Sequence, residues 1–572
     1  MEQQRFKTKF AQEIFYSKYA QGSGDTWDSL AERVVESICG RLNGIQLLGN
    51  GDIQQLKEYI KQQKFIPGGR YLYYAGRPAR FYNNCYLLRA EEDSREEWSA
   101  VTQRAMSCLM TGGGIGVDYS ILRPSGRVLS RTGGKASGPI PLMYTINEVG
   151  RNVMQGGSRR SAIYASLSWQ HEDIPLFLTA KNWKDQIVFR GEEYSGFELS
   201  EADLKMGNFN HRAPLDMTNI SLNYDDDWLY LDGKYHEQTL NGSLDRRASN
   251  PIFLANCRQA LSTGEPGFSF NFGEKQNETL RNACTEVTSE DDSDVCNLGS
   301  VNLGNIENLE EFKSVVALAS KFLVCGTLRA ELPYQRVYEI REKNRRLGLG
   351  LMGIHEWLLK KGLKYEVSPE LHKWLGVYRE VSETAANAHC DHLFISRPVA
   401  YRAIAPTGSI GILAATSTGI EPLFATAYKR RYLKNNKWHY QFVVDSITDH
   451  LVNRFGVDPD KIETALDLSE DYERRIKFQA DVQDYVDMSI SSTINLPSWG
   501  SKQNNESHVD AFARVLARYA PRLRGFTCYP DGARGGQPLI RADYRDAIKH
   551  SGVVYEEVDI CEITGHGGTC GV

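Results

Sequence analysis

An α/β fold is predicted by three features of this chain. Apolar runs of strand length alternate with helix-periodic stretches from Phe65 to about residue 420, glycine-rich turns separate them, and helical periodicity prevails on either side. The 572 residues suffice for one very large core or two to four ordinary ones, and neither an internal repeat nor a low-complexity tract divides them.

Residues 1–65 are expected to form a helical N-terminal segment. Apolar positions recur at helical spacing from Trp27 to Ile38, with Asp25 or Thr26 as the N-cap. Residues 66–545 are expected to make up the main body. Within it, the acidic run Ser289-Glu290-Asp291-Asp292-Ser293-Asp294 is expected to be a solvated loop tip. After about residue 430 the pattern is mostly helical. Residues 546–572 are expected to form a flexible tail, since Gly565, Gly567, Gly568 and Gly571 crowd its end.

A hydrophobic content of 41% and a charged content of 24% are ordinary for a soluble globular protein. With 67 basic and 72 acidic side chains the net charge is −5, which argues against a broad nucleic-acid surface and leaves room for a local phosphate site. No run of about 18 apolar residues argues for a membrane span. The opening Met1-Glu2-Gln3-Gln4-Arg5-Phe6-Lys7 lacks the apolar core of a signal peptide, so a cytoplasmic location is expected. In that reducing setting the 11 cysteines are expected to be thiols unless chemistry cycles them.

Asn282-Ala283-Cys284-Thr285-Glu286 is the most informative stretch. On an extended segment its amide, thiol and carboxylate point the same way, so one small substrate would meet all three. The alternative is a buried structural cysteine in a polar loop. Pro406-Thr407-Gly408-Ser409-Ile410-Gly411 follows an apolar run and precedes Ile412-Leu413-Ala414-Ala415, as where a strand feeds a helix. Its free amides suit a phosphate or a simple capping turn. Thr111-Gly112-Gly113-Gly114-Ile115-Gly116 does not satisfy G-x-G-x-x-G and is expected to pack its backbone against a ligand or a strand. Gln155-Gly156-Gly157-Ser158-Arg159-Arg160-Ser161 suits polyphosphate contact or surface ion pairs.

Together these motifs resemble the catalytic subunit of ribonucleotide reductase. The likeness runs from about residue 65 to 430 and more weakly to the C-terminus. It is carried, in the family's order, by Pro67-Gly68-Gly69-Arg70, Asn84-Cys85, Gly112–Gly116, Gly133–Pro139, Gly156–Arg160, Asn282–Glu286, Cys296–Leu303, Lys343–Gly348 and Pro406–Ser409. The resemblance implies a ten-stranded α/β barrel of two five-stranded halves with a central finger loop, plus helical N- and C-terminal segments. Cys284 matches the radical-bearing cysteine that takes the 3′ hydrogen of the ribose. Glu286 matches the general base on the 3′ hydroxyl, and Asn282 the residue that holds the sugar. Cys85 and Cys296 match the two thiols that end as a disulfide. Cys561 and Cys570 would re-reduce it by exchange, handing on to a thioredoxin- or glutaredoxin-type reductant. Substrate binding would fall to Asn84, Gly114, Thr407, Gly408, Ser409 and Ile410. Asp93, Arg123 and Arg131 match contacts to a nucleoside triphosphate effector, and a homodimer is among the implied assemblies.

For radical initiation the resemblance favours class II, in which adenosylcobalamin is the initiator. Gly525–Arg534 has one tyrosine, Tyr529, where the class I relay needs an adjacent pair. The alternative is a class I catalytic subunit served by a ferritin-like small subunit carrying a dimetal cofactor. No metal site is expected on this chain, and no ATP cone before residue 65. Departures from the class II pattern are the twelve-residue spacing of Cys284 and Cys296, the wide tail pair and a missing insertion between Cys85 and Gly112. Rival readings are a glycyl-radical enzyme ending Gly568-Thr569-Cys570-Gly571-Val572, a zinc half-site of Cys561, His566 and Cys570, and a non-catalytic nucleotide-binding protein.

Overall fold

The computed structural model describes residues 6–153, 162–182, 214–231, 239–434, 437–531, 533, 539–550 and 553–556. The N-terminal helices form where periodicity and capping agree. Helix Trp27–Cys39 starts at Thr26, whose side chain accepts from the Ser29 amide while Ser29 accepts from the Thr26 amide. Asp25 forks onto Arg33 instead of capping (3.0 and 2.8 Å). This helix buries Leu30, Val34, Val35 and Ile38 in the main core, beside helix Asn50–Lys61.

Five parallel strands make the first half of a barrel: β1 (Cys85–Arg89), β2 (Gly114–Asp118), β3 (Ile163–Ser168), β4 (Thr218–Tyr224) and β5 (Gly267–Phe270), paired in that order. The second half starts with β6 (Asp294–Asn302) parallel to β7 (Leu347–Met352) and ends with β8 (Thr493–Leu496) parallel to β9 (Gly525–Pro530). Between them, an extended segment is tied by single parallel bridges, Leu349 to Arg402 and Ile404 to Ile490. With that segment the ring has ten strands. It closes through two antiparallel seams, β1 with β6 and β5 with β9, so no barrel edge is left unpaired. Helices such as Arg95–Met110, Pro251–Thr263 and Leu309–Arg329 cover the outside. Strand alternation sends Tyr86, Leu88, Phe268 and Phe526 outward to that layer. Cys85, Leu87, Cys296, Leu298 and Ala403 form a separate inner cluster.

The inner cluster also contains Leu280 and Val287, which come from the chain between β5 and β6. There a small hairpin, Leu280–Arg281 against Thr288–Ser289, runs inside the barrel as the expected finger loop. Its entry depends on glycine. A Cβ on Gly116 would lie 1.6 Å from the Arg281 carbonyl oxygen, and one on Gly114 would lie 3.2 Å from the Ala283 Cβ. The glycine run thus packs against another chain segment.

Three expectations are corrected. The acidic run is no solvated tip: Ser289, Asp292, Ser293 and Asp294 are all buried. Asp294 accepts from Arg346 Nε (2.7 Å), Asn344 (2.9 Å) and Ser289 (2.7 Å), and Asp292 sits 3.5 Å from both Arg104 and Arg336. After residue 430 the chain is not mostly helical at first. Ala427–Lys434 and Lys437–Val444 pair as antiparallel strands, and Leu539–Arg541 and Val554–Glu556 flank them. Runs rich in Tyr, Trp, Phe and Val on both sides of Asn435-Asn436 carry that hairpin signal. Helices Ser446–Phe455, Tyr472–Gln483 and Val509–Tyr519 follow. The expected tail does not begin at 546, because helix Tyr544–Lys549 and the strand at 554–556 belong to the fold. Residues 557–572, with Cys561 and Cys570, lie outside the described residues. Among the described residues no helix is long and apolar enough to cross a membrane.

Asp294→Ala removes the nearer carboxylate of a buried pair and leaves the Arg346 guanidinium only the longer contact to Glu278 (3.6 Å). Urea unfolding is expected to show a loss of about 3–5 kcal/mol. A loss under about 1 kcal/mol, as for an exposed pair, would contradict this account.

Candidate active site

The hairpin tip inside the barrel is a turn rather than an extended strand, which corrects how its three polar groups meet. Thr285 sits at φ +70°, and its amide donates to the Asn282 carbonyl (2.9 Å). The turn folds Asn282 and Glu286 back toward one thiol. Asn282 Nδ2 donates to Cys85 Sγ at 2.9 Å, and the Cys85 thiol points at Glu286 Oε1, 4.0 Å away. Three anchors hold the tip: the Val287 amide donates to Asn282 Oδ1 (2.9 Å), the Ser489 amide to the Glu286 carbonyl (2.8 Å), and Asn219 Nδ2 to the Ala283 carbonyl (3.3 Å). Asn282 and Glu286 are each 1% exposed, whereas Cys284 between them is only partly buried.

Cys85 and Cys296 are direct cross-strand partners on the β1/β6 seam. Residues so opposed in antiparallel sheet have Cα atoms about 4.5–5.5 Å apart, within the range a disulfide spans. Both are free thiols here and both are buried. Burial pushes the Cys85 thiol well above the usual range, and the nearby Glu286, Cys284 and Cys296 raise it further. Burial does the same to Cys296, helped by Asp294 and Glu286 and opposed by Arg346. Both sulfurs therefore keep their hydrogens at neutral pH. A partly accessible thiol, a carboxylate and two protonated thiols positioned to join suit one-electron chemistry that ends in a disulfide.

The remaining candidate residues fall into three places. Asn84 and Gly114 lie beside the tip: the Gly114 amide donates to the Asn84 carbonyl (2.8 Å), and Gly114 is the parallel partner of Cys85. Thr407, at φ +50°, precedes helix Gly408–Ala414, leaving Gly408 and Ser409 exposed and Ile410 buried. The Thr407 hydroxyl accepts from the Gly419 amide (2.9 Å), and Lys18 Nζ donates to Ser409 Oγ (3.4 Å). This helix follows the C-terminal end of its strand, and Asn84 precedes the N-terminal end of β1. Because the two halves run antiparallel, both are at the same mouth of the barrel. Asp93 and Arg123 come together at the opposite end, where Arg123 Nε donates to Asp93 Oδ2 (2.5 Å). Arg131 stands apart on an exposed turn bracketed by the Val128–Lys135 bridge. Tyr529 is half-buried on the inner face of β9, while Cys528 points outward and donates to the Ala260 carbonyl (3.5 Å). Residues 156–161, with Arg159 and Arg160, lie outside the described residues.

Sequence reasoning missed Arg281. Its fully buried guanidinium fixes the finger stem by donating to Ser269 (3.1 Å), Asn271 (2.8 Å) and the Arg524 carbonyl (2.8 Å). No motif flags it. Gly116 was within a singled-out run, and its role was legible as a demand for close backbone approach.

A closed ten-stranded α/β barrel with a cysteine-bearing hairpin through its centre defines a class of barrel enzymes built to shelter reactive sulfur. Comparison with known proteins narrows this: residues 83–388 and 397–521 match the family described as "Ribonucleotide reductase, barrel domain", and the chain belongs to that family. It is similar to the vitamin B12-dependent ribonucleoside-diphosphate reductase of Mycobacterium tuberculosis (strain CDC 1551 / Oshkosh), with 26% identity over 536 residues covering 84% of this chain and 72% of the relative. The enzyme of the same name from Thermoplasma acidophilum is 24% identical over 546 residues, covering 85% of this chain and 66% of the relative. A putative adenosylcobalamin-dependent ribonucleoside-triphosphate reductase of Mycobacterium phage D29 is 26% identical over 535 residues, covering 79% and 71%.

Iodoacetamide at mildly alkaline pH, near a free thiol's pKa of about 8.5, is expected to label Cys85 and Cys296 far more slowly than a peptide cysteine. Their rates should keep rising at pH values where the peptide's has levelled off, as mass spectrometry of the folded chain would show. Labelling of either at the peptide rate would contradict the raised values.

Proposed function

We propose that this chain reduces ribonucleotides to 2′-deoxyribonucleotides by thiyl-radical chemistry, with adenosylcobalamin as the radical initiator. The observation that carries the reading is the cross-strand pair Cys85–Cys296 beneath the hairpin that bears the accessible Cys284.

In this reading Cys284, as a thiyl, takes the 3′ hydrogen of the ribose, which makes the adjacent 2′ carbon–oxygen bond breakable. Glu286 receives the 3′ hydroxyl proton, and Asn282 orients the sugar by hydrogen bonding. Cys85 and Cys296 give up two hydrogens: the 2′ hydroxyl leaves as water, the sulfurs join, and Cys284 returns its hydrogen to the 3′ carbon. The sum is one ribonucleotide and two thiols converted to one deoxyribonucleotide, one disulfide and water. Phosphates would bind the exposed start of helix Gly408–Ala414 through Thr407, Gly408, Ser409 and Ile410, with Asn84 and Gly114 at the sugar end. Cys561 and Cys570 would then pass electrons from a thioredoxin- or glutaredoxin-type protein. A nucleoside triphosphate at Asp93, Arg123 and Arg131, in a dimer of this chain, would choose the base.

Adenosylcobalamin supplies a carbon–cobalt bond that breaks homolytically. Two features of this chain fit it. Cys284 is only partly buried at the tip of the hairpin, and Tyr529 on the inner face has an outward-facing cysteine for a neighbour instead of a second tyrosine. The class I arrangement, with a dimetal-bearing partner subunit, is not favoured, because it relies on an adjacent tyrosine pair at that position.

The purified chain, a small dithiol and each ribonucleoside di- and triphosphate are expected to yield deoxynucleotide only when adenosylcobalamin is added, and Cys284→Ser is expected to yield none. Product formed without the cofactor, or unchanged in Cys284→Ser, would overturn the proposal.

A further inference from the structure

A second cleft, of about 380 Å³, opens at the end of the barrel away from the mouth described above. Its walls come from the N-terminal approaches of the second-half strands and from the rising limb of the finger loop. Arg402 begins the extended central segment, Asp487 precedes the next strand, Arg524 immediately precedes β9, and Lys275 lies between β5 and the finger hairpin. Five cations line it, Lys275, Arg379, Arg402, Arg522 and Arg524, against two carboxylates, Asp484 and Asp487. Behind the walls stand Glu278 and Asp481. Each is shared with a further cation, Glu278 with Arg346 (3.6 Å) and Asp481 with Lys477 (2.5 Å), so the positive excess persists.

Burial makes that excess consequential. Arg402 and Arg524, both of which line the cleft, are 4% and 8% exposed, and Arg524 Nε is buried without a hydrogen-bond acceptor among the described residues. Elsewhere Arg524 reaches Glu278 (2.9 Å) and, more weakly, the Asp487 carbonyl at 3.4 Å. Lys275 spends its ammonium on that same carbonyl, and burial together with Arg524 lowers it to about 8. Arg379 lies over the Tyr485 ring, 5.2 Å from its centroid, and Arg522 forks onto Asp484 at the rim. Arg402 is paired with Asp487 (3.1 Å) and donates to the Tyr485 and Arg379 carbonyls and to Ser382, so the attraction for an anion rests on the excess of cations over carboxylates along the walls, which one multivalent anion meets at several points.

We propose that this cleft is a binding site for a small anion carrying two or more linked phosphate groups, separate from the substrate site. Its volume exceeds what a single phosphate fills. Its cations span from the rim at Arg379 and Arg522 to the floor at Arg402 and Arg524. A ligand held there ties the finger limb, through Lys275, to the strand that starts after Arg524.

The test uses the full chain with inorganic pyrophosphate as the probe, at constant ionic strength set with chloride. Acetylation of Lys275 is read by mass spectrometry, which reports on this cleft and not on the substrate site. Calorimetry gives the affinity. Pyrophosphate is expected to protect Lys275. Arg379→Ala and Arg522→Ala, both at exposed positions, are each expected to weaken that protection by about tenfold, the order set by losing one charge-assisted contact. Arg397→Ala, which breaks an exposed pair with Asp391 elsewhere, is expected to leave it unchanged. Absence of protection at saturating pyrophosphate would overturn the proposal, as would protection indifferent to both rim variants or lost equally in Arg397→Ala. The outcome does not depend on whether the chain reduces ribonucleotides.

Discussion

The antiparallel seam between β1 and β6 is the constraint on which the rest of the structure depends. Two runs of parallel strands cannot close on each other with every strand parallel once their directions oppose. The register at the seam therefore decides both closure and chemistry. A shift of one residue would turn Cys85 or Cys296 outward into the helical layer, since side chains alternate along a strand. With the observed register the two thiols oppose each other on the inner face, dry and protonated. They stand beneath the hairpin that carries Cys284.

That segment is held by charge as much as by apolar packing. The finger stem is locked by Arg281, by Glu278 between Arg524 and Arg346, and by the Asp294–Arg346 pair on β6. Buried ions like these do little for net stability compared with apolar residues of the same shape, yet they leave few alternative arrangements once formed. Inner glycines complete the fit by letting backbone replace side chain. A rigid stem and a tight left-handed turn at Thr285 then leave Cys284 as the accessible sulfur among buried polar neighbours. A reactive sulfur needs that combination of access for a substrate and shelter from solvent.

Much of this was legible in the sequence, for identifiable physical reasons. The Thr26 cap, the strand–helix alternation and the glycine demands at 114 and 116 are local signals, and they led to the right elements. The order of short motifs pointed to the barrel and to the finger loop. What escaped was set by distant partners. The acidic run 289–294 looks solvated until Arg104, Arg336 and Arg346 close over it, and those arginines come from other parts of the chain. The hairpin after residue 426 was masked by its lysines and arginines, although its aromatic and β-branched residues fit a strand. The tenth strand, a short segment about Arg402 and Ile404 held by a few backbone hydrogen bonds to each neighbour, is too brief to announce itself. Strand alternation was expected to turn Asn282, Cys284 and Glu286 the same way, whereas a turn at Thr285 brings Asn282 and Glu286 onto Cys85.

The central claim is that Cys85 and Cys296 are the sulfurs oxidised when a ribonucleotide is reduced. It is tested most directly by a reaction quenched without any external reductant. A Cys561→Ser/Cys570→Ser chain would be mixed with adenosylcobalamin and a ribonucleotide, and the deoxynucleotide formed would be measured alongside the disulfide map. The account predicts that product stops at one equivalent per chain and that a Cys85–Cys296 disulfide appears in the same proportion. Product exceeding one equivalent while both thiols remain open to alkylation after denaturation would contradict it.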